Sequence, residues 1–464
     1  MRFAALICIL FFTGWLNSQE KINLSYDLFI SKIITNNPTA LRANNIGIYG
    51  KLKYKAALGN YDPFVSGNFE NKYFSSKNYY QIVGAELKQP LFTSQYFKLG
   101  YEYAQGNFVN PENATSNFGL PFLGFEMSLL QGLVIDKRRA EVLKSKNYKL
   151  LYDAEKNNLI NGLLFEASLT YFDWLYTNKQ LALNSYFIEL ATKRLNGIIE
   201  LVNVGERPSV DTTEAAILIQ NRELDLQSAQ IDNLKLTANL NNYFWQSFND
   251  ATSKNNFENI DSLDAYYDFA KKLILNLFSV DSITNPIISF YKAKGSILGI
   301  EKKLMREMIK PRLDVNYNIL SNNYTNNNFI FNSNNYKWGA NISFPLFFRN
   351  PSNNYKMANI DLQNNSLELK LKQNEIALKK DQIKKSISVL SQQLKNATKS
   401  VTYNKLLVDA ERLKFDNGES SLFLLNTREN KLLETELKLA QYKLKFIKTV
   451  VNLIYLNGDL NYKL

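Results

Sequence analysis

Histidine is absent from the 464 residues, and the one cysteine, Cys8, lies inside an apolar run, so the usual nucleophile and general-base pairs cannot form. Glu223 with Asp225, and Glu434 with Glu436, stand two positions apart. Residues at that spacing do not share a helix face, so these carboxylates read as solvent-facing and not as an acid and its base. Ser-Lys and paired-carboxylate chemistry has no motif behind it, and there is no phosphate-binding Gly loop, zinc spacing or calcium loop. The expectation is no enzyme, no cofactor and no metal. The polar features that stand out are two Gly turns, Gly205-Glu206-Arg207 and Gly418-Glu419, each at the end of a long helical stretch.

The elements that carry these turns are duplicated. Asn37-Pro38 precedes Pro63 by the same interval that separates Asn285-Pro286 from Pro311, and each second Pro opens a segment of alternating residues. Gly124 and Gly339 each sit in a short alternating run, and each precedes its turn glycine, Gly205 or Gly418, by about one long helix. Tandem repeats without a Pro/Gly/Ser linker interleave into one body. The predicted order is 1–18 signal peptide, 19–248 first repeat, 249–284 linking segment and 285–464 second repeat.

Composition bounds the partners. Hydrophobic residues make up 45% of the chain and aromatic residues 13%, enough for an ordered protein. The net charge of +12 does not cluster: Lys137, Arg138 and Arg139 neighbour Glu141, and Lys379, Lys380, Lys384 and Lys385 surround Asp381. That is the pattern of solvated helix faces, and no nucleic acid partner is expected. Arg2, the apolar run Phe3 to Trp15, and then Asn17, Ser18 and Gln19 follow the order of a secretory signal, which predicts export with cleavage near Ser18. Beyond residue 20 no stretch reaches the ~18 apolar residues of a spanning helix, so a membrane route would have to be β.

Period-two alternation marks the strands. Leu313, Val315, Tyr317 and Ile319 alternate with Arg312, Asp314, Asn316 and Asn318, and Trp338, Ala340, Ile342 and Phe344 repeat the pattern up to Pro345-Leu346-Phe347. The Asn-rich stretch from Ser321 to Asn335 reads as a long exposed hairpin loop. In the first half Val65, Phe69 and Tyr73, then Phe125, Met127 and Leu129, form the matching pair. Between them lies an insertion at about residues 80–110, with Val83, Ala85 and Leu87, then Leu99, Tyr101 and Tyr103, predicted to add a hairpin.

The rest is helical. Lys137 to Val202 and Ser352 to Phe415 are almost free of Pro and Gly, and either would approach ~100 Å if continuous. Heptad-spaced residues follow each turn: Val210, Ile217, Leu224, Ile231, Ala238 and Trp245, then Leu425, Leu432, Leu439, Phe446 and Leu453. Such spacing predicts coiled-coil packing. Leu433, Ala440, Ile447 and Ile454 add a second stripe, which suits a helix with several neighbours. Long heptad helices alone would fit a secreted coiled-coil scaffold without channel activity. Amphipathic strands weigh against it, because four to six strands from one chain fall short of the about eight that close a membrane barrel. Several chains must therefore contribute.

Together, Leu24-Ser25-Tyr26-Asp27-Leu28 before Asn37-Pro38, the strand starts at Pro63 and Pro311, Pro345-Leu346-Phe347, and Gly205-Glu206-Arg207-Pro208-Ser209-Val210-Asp211-Thr212-Thr213-Glu214-Ala215 resemble the TolC-type outer membrane efflux protein family. The resemblance spans nearly the whole chain beyond the signal segment. It implies an α+β membrane protein: a homotrimer whose chains give about four strands each to an outer membrane β-barrel, continued by a long periplasmic coiled-coil tunnel. The segment between the repeats would match the family's equatorial belt. The implied function is a passive exit duct for a tripartite efflux pump or a type I secretion system, working with a periplasmic adaptor and an inner-membrane transporter. Gly205, Glu206, Arg207, Gly418 and Glu419 would mark the tips that meet the adaptor. Arg207, Asp211 and Glu214 would fall at the gate, where symmetry copies of the acids form rings that favour cations. A plainer reading of the same residues is that Ser209 caps the returning helix and Asp211 complements its dipole. Leu424 and Thr427 hold the corresponding offsets in the second repeat, so any acidic ring comes from the first.

Overall fold

A computed structural model describes residues 21–245, 256–277, 285–321, 323–325 and 328–458. The signal segment with Cys8, the flanks of the linking segment and part of the Asn-rich loop lie outside them. The elements run β1 (Lys21–Leu24), α1 (Tyr26–Asn36), α2 (Pro38–Leu58), β2 (Phe64–Phe74), β3 (Lys77–Pro90), β4 (Gln95–Gln105), β5 (Leu120–Ser128), α3 (Lys137–Asn203), α4 (Val210–Phe244), β6 (Asn256–Asn259), α5 (Leu263–Leu277), α6 (Pro286–Glu307), β7 (Arg312–Leu320), β8 (Asn323–Thr325), β9 (Asn328–Ile330), β10 (Tyr336–Ser343), α7 (Arg349–Asp416) and α8 (Leu422–Asn457). Two units result, one of Met1–Leu41, Ile160–Ser282 and Lys380–Leu464, the other of Arg42–Leu159 and Ile283–Lys379. The helices α3 and α7, 67 and 68 residues long, contribute to each.

The second unit holds a six-stranded antiparallel sheet in the order β10-β7-β5-β4-β3-β2. The four strands expected from alternation are present, and the insertion adds β3 and β4 between them. Register makes the sheet two-faced. Val65, Leu87, Leu99, Leu123, Ile319 and Tyr336 form one row across all six strands, and Phe97, Phe125, Tyr317 and Trp338 form part of the next. Rows on the opposite face carry Lys88, Lys98, Gly124, Asn318 and Lys337. There a Cβ on Gly124 would strike the Asn318 amide and one on Gly339 the Asn316 amide, so glycine lets a neighbouring side chain lie flat over the strand. The Asn-rich loop is not all irregular, since β8 and β9 pair within it.

The first unit packs around aromatic side chains of α1, α3 and α5. Tyr26, Phe29, Tyr171, Phe172 and Trp174 are each at most 2% exposed. The linking segment is structured here: β6 pairs in parallel with β1, and Asp261 accepts hydrogen bonds from the Tyr171 hydroxyl at 2.5 Å, the Tyr266 hydroxyl at 2.9 Å and the Tyr26 amide at 2.8 Å. Burial, and then the Asp261 carboxylate, push the Tyr171 and Tyr266 hydroxyls far above the ordinary tyrosine range.

Helix burial separates the two heptad stripes. Leu425, Leu432, Phe446 and Leu453 of α8 are buried, as are Leu433, Ala440, Ile447 and Ile454. On α4 the stripe of Val210, Ile217, Leu224 and Ile231 is 52–67% exposed, and the buried residues are Ala215, Leu218, Arg222, Ala229, Leu240 and Phe244. Leu367, Leu371, Leu378, Leu406 and Leu413 of α7 are exposed as well.

Candidate functional site

The two hairpin tips are built alike. Each long helix ends on a left-handed glycine, Gly205 with φ +82° and Gly418 with φ +79°. The Gly205 amide donates to the Val202 carbonyl and the Glu206 amide to that of Leu201, while Gly418 and Glu419 donate to Phe415 and Lys414. This double bond pattern satisfies the carbonyls a helix leaves open at its C-terminus, and it needs a residue that tolerates positive φ. Gly205, Glu206, Gly418 and Glu419 are exposed.

The helix starts differ. Ser421 accepts the Leu424 amide at 3.3 Å and caps α8, whereas Ser209 adopts helical angles and makes no capping bond to α4. The expected Ser209 cap is therefore absent. Its backbone carbonyl instead accepts the Thr212 hydroxyl at 2.6 Å.

Of the three gate candidates, the fold joins two directly. The Arg207 guanidinium lies 3.6 Å from the Asp211 carboxylate and 4.5 Å from the centre of the Phe415 ring. Phe415 packs on a cluster of Ile198, Ala215 and Leu422, so Arg207 ties the first tip to the second hairpin. Glu214 is held apart, its carboxylate accepting from the Asn426 amide at 3.4 Å. Each acid thus has a partner within its own chain.

Sequence reasoning missed a charged node on the same helices. Glu429 of α8 is fully buried and meets one arginine from each of the other three: Arg194 of α3, Arg222 of α4 at 3.5 Å and Arg412 of α7 at 3.3 Å. Arg222, 2% exposed, also donates to the Phe187 carbonyl at 2.6 Å and to the Asn430 side-chain oxygen at 3.2 Å, and Arg194 donates to that of Asn426 at 2.9 Å. Burial lowers the proton affinity of Arg222, opposed by Glu429. The available signal was placement: Glu429 stands on the buried stripe between Leu425 and Leu432, and Arg222 follows Ala215 and Leu218.

No protein-family model and no curated protein sequence matches this chain. Solved structures do. The Campylobacter jejuni CmeC outer membrane channel aligns over 95% of this chain and 90% of its own, with a TM-score of 0.62 and 13% identity. The Neisseria gonorrhoeae MtrE outer membrane channel in its open state aligns over 93% and 88%, with a TM-score of 0.64 and 11% identity. The outer membrane protein VceC of Vibrio cholerae aligns over 93% and 95%, at 0.62 and 12%. The chain has the fold of the TolC-type outer membrane channels. Within that fold the two-faced sheet and the paired helical hairpins are each set by this chain's own sequence pattern. No helix among the described residues is long and apolar enough to cross a membrane, and no group of three or more metal-ligating side chains occurs among them.

Proposed function

We propose that the chain forms a homotrimeric channel-tunnel in the outer membrane with its helical tunnel in the periplasm, the passive exit duct of a tripartite efflux pump or a type I secretion system. One observation carries the reading: a sheet with an apolar row running across all six strands of one face, and with two open edges, on the fold of outer membrane channels. Open edges are not tolerated in lipid, and six strands cannot close a barrel alone, so copies must join. The exposed apolar stripes of α4 and α7 support the same conclusion, because coiled-coil seams left open in one chain need helices of another.

At the tips, Gly205, Glu206, Arg207, Gly418 and Glu419 form the surface offered to a periplasmic adaptor carrying an inner-membrane transporter. Asp211 and Glu214 line the constriction, with Arg207 linking it to the neighbouring hairpin. The purified protein is expected to form cation-preferring channels in planar bilayers, blocked by divalent cations. The Asp211→Asn, Glu214→Gln double variant should weaken that block; unchanged block discards the gate assignment. Recovery as a soluble periplasmic monomer would overturn the channel reading itself and favour a scaffold.

A further inference from the structure

The inserted hairpin β3–β4 is continuous with the sheet in every respect that matters to a membrane wall. Its apolar side chains, Val83, Ala85 and Leu87 on β3 and Leu99, Tyr101 and Tyr103 on β4, fall on the apolar face of the other four strands. On the opposite face Lys88 and Lys98 are directly paired, a like-charge contact that would be unfavourable alone. Glu126 of β5 bridges both, at 3.0 Å and 2.5 Å. The turn between β3 and β4 is also held. Arg138 donates to the Thr93 carbonyl at 3.1 Å and stacks over the Tyr96 ring at 4.1 Å, while Arg139 donates to the buried Ser94 hydroxyl at 3.1 Å.

We propose that β3 and β4 are barrel strands, so that three copies close an eighteen-stranded wall through contact of β2 in one copy with β10 in the next. This inference rests on the trimeric channel reading above. The surface that pairs is already shaped for a second copy. All of β2 is exposed, as is β10 apart from one residue. Because all five pairings in the sheet are antiparallel, the two edge strands run in opposite directions and meet antiparallel across each junction. At 11 residues β2 matches a tilted bilayer crossing of about 9–11 residues, and β10, at 8, is one residue short of it. Barrel width grows roughly in proportion to strand number, so eighteen strands give a backbone diameter of about 35 Å against about 24 Å for twelve at the same tilt. The outer opening would then admit bulkier cargo than a twelve-stranded wall.

The test uses the full chain with Cys8→Ser, purified in detergent and returned to phospholipid vesicles. Nitroxides placed through Val83→Cys and Leu99→Cys should be relaxed by oxygen, and those placed through Glu86→Cys and Glu102→Cys by a water-soluble nickel chelate. Native mass and a single-particle map should give three copies and eighteen strands. A trimer with a twelve-stranded wall, or a β3–β4 hairpin whose four labels are all relaxed by nickel, overturns this inference and leaves the channel reading standing. A protein that neither trimerises nor enters vesicles overturns the channel reading beneath it.

Discussion

Removing Glu429 should cost more than removing any other single charge of the four long helices. The Glu429→Ala variant leaves three guanidiniums facing one another, but they do not suffer equally. Arg412, with 41% of its side chain exposed, can turn to water, and Arg194 keeps Asn426. Arg222 cannot escape, since it is 2% exposed and its remaining partners, the Phe187 carbonyl and Asn430, are neutral. A unit pair at the observed 3.5 Å interacts by about 5 kcal/mol at an effective dielectric of about 20. That agrees with the about 3–5 kcal/mol lost when one member of a buried pair is deleted. The assay is thermal unfolding of the detergent-solubilised protein, followed by circular dichroism at fixed protein concentration and scan rate. At about 2.1 cal/mol/K of unfolding entropy per residue, the expected fall in apparent midpoint is roughly 3–5 °C for a chain of this size. The Arg222→Met, Glu429→Leu double variant should recover most of it, because the stranded charge is gone. A single variant within a degree of the parent, or a double variant no better than the single, would refute the argument that Arg222 depends on Glu429.

Three further outcomes follow from named contacts. Ser421→Ala should destabilise by about 1 kcal/mol through loss of the α8 cap, while Ser209→Ala changes almost nothing, as denaturant midpoints can compare directly. Trp174→Ala, at a site 1% exposed among Tyr171 and Phe257, should cost about 3–5 kcal/mol by the same measurement. Asp264 of α5 is partly buried, which alone would raise its pKa, but Lys443 at 2.7 Å and Lys179 at 3.6 Å hold it below the ordinary value. Its contribution is therefore fully present above the unfolded carboxylate value of about 3.9 and is lost below it, as pH falls through the lowered folded value. With the side chain 47% exposed, solvent screening keeps this under about 1 kcal/mol, and Asp264→Asn should flatten the corresponding part of the stability profile.

Period-two alternation after Pro63 and Pro311, long Pro-free helical stretches and glycines at their ends made the repeat and its strand-helix order legible, because each is a local property of backbone geometry. Gly205 and Gly418 adopt the left-handed angles that their place after a helix implies. Leu425, Leu432, Phe446 and Leu453 of the α8 stripe are buried as the heptads require, and Leu439 is half-buried. The α4 stripe has the same spacing yet lies open, for periodicity reports an apolar face without saying which chain covers it. The Ser209 cap failed for a related reason: a Ser before a helix supplies an oxygen, but the local angles decide whether it reaches an amide.

Long-range partners were another matter. Glu429 meets Arg194 and Arg222 of the other hairpin, 235 and 207 positions away, and Asp261 gathers the Tyr171 hydroxyl and the Tyr26 amide from 90 and 235 positions away. Nothing in local spacing pairs them, since such contacts exist only once separate helices pack. The inserted hairpin shows the boundary most clearly. Its alternation showed that two strands existed, while their place between β2 and β5, and with it the apolar row from Val65 to Tyr336, was decided by interstrand register. By itself the sequence determined the kinds of element, their duplication and which face of each is apolar. Only the tertiary structure decided which faces meet within one chain and which stay open, because burial depends on neighbours that the chain brings together from distant positions.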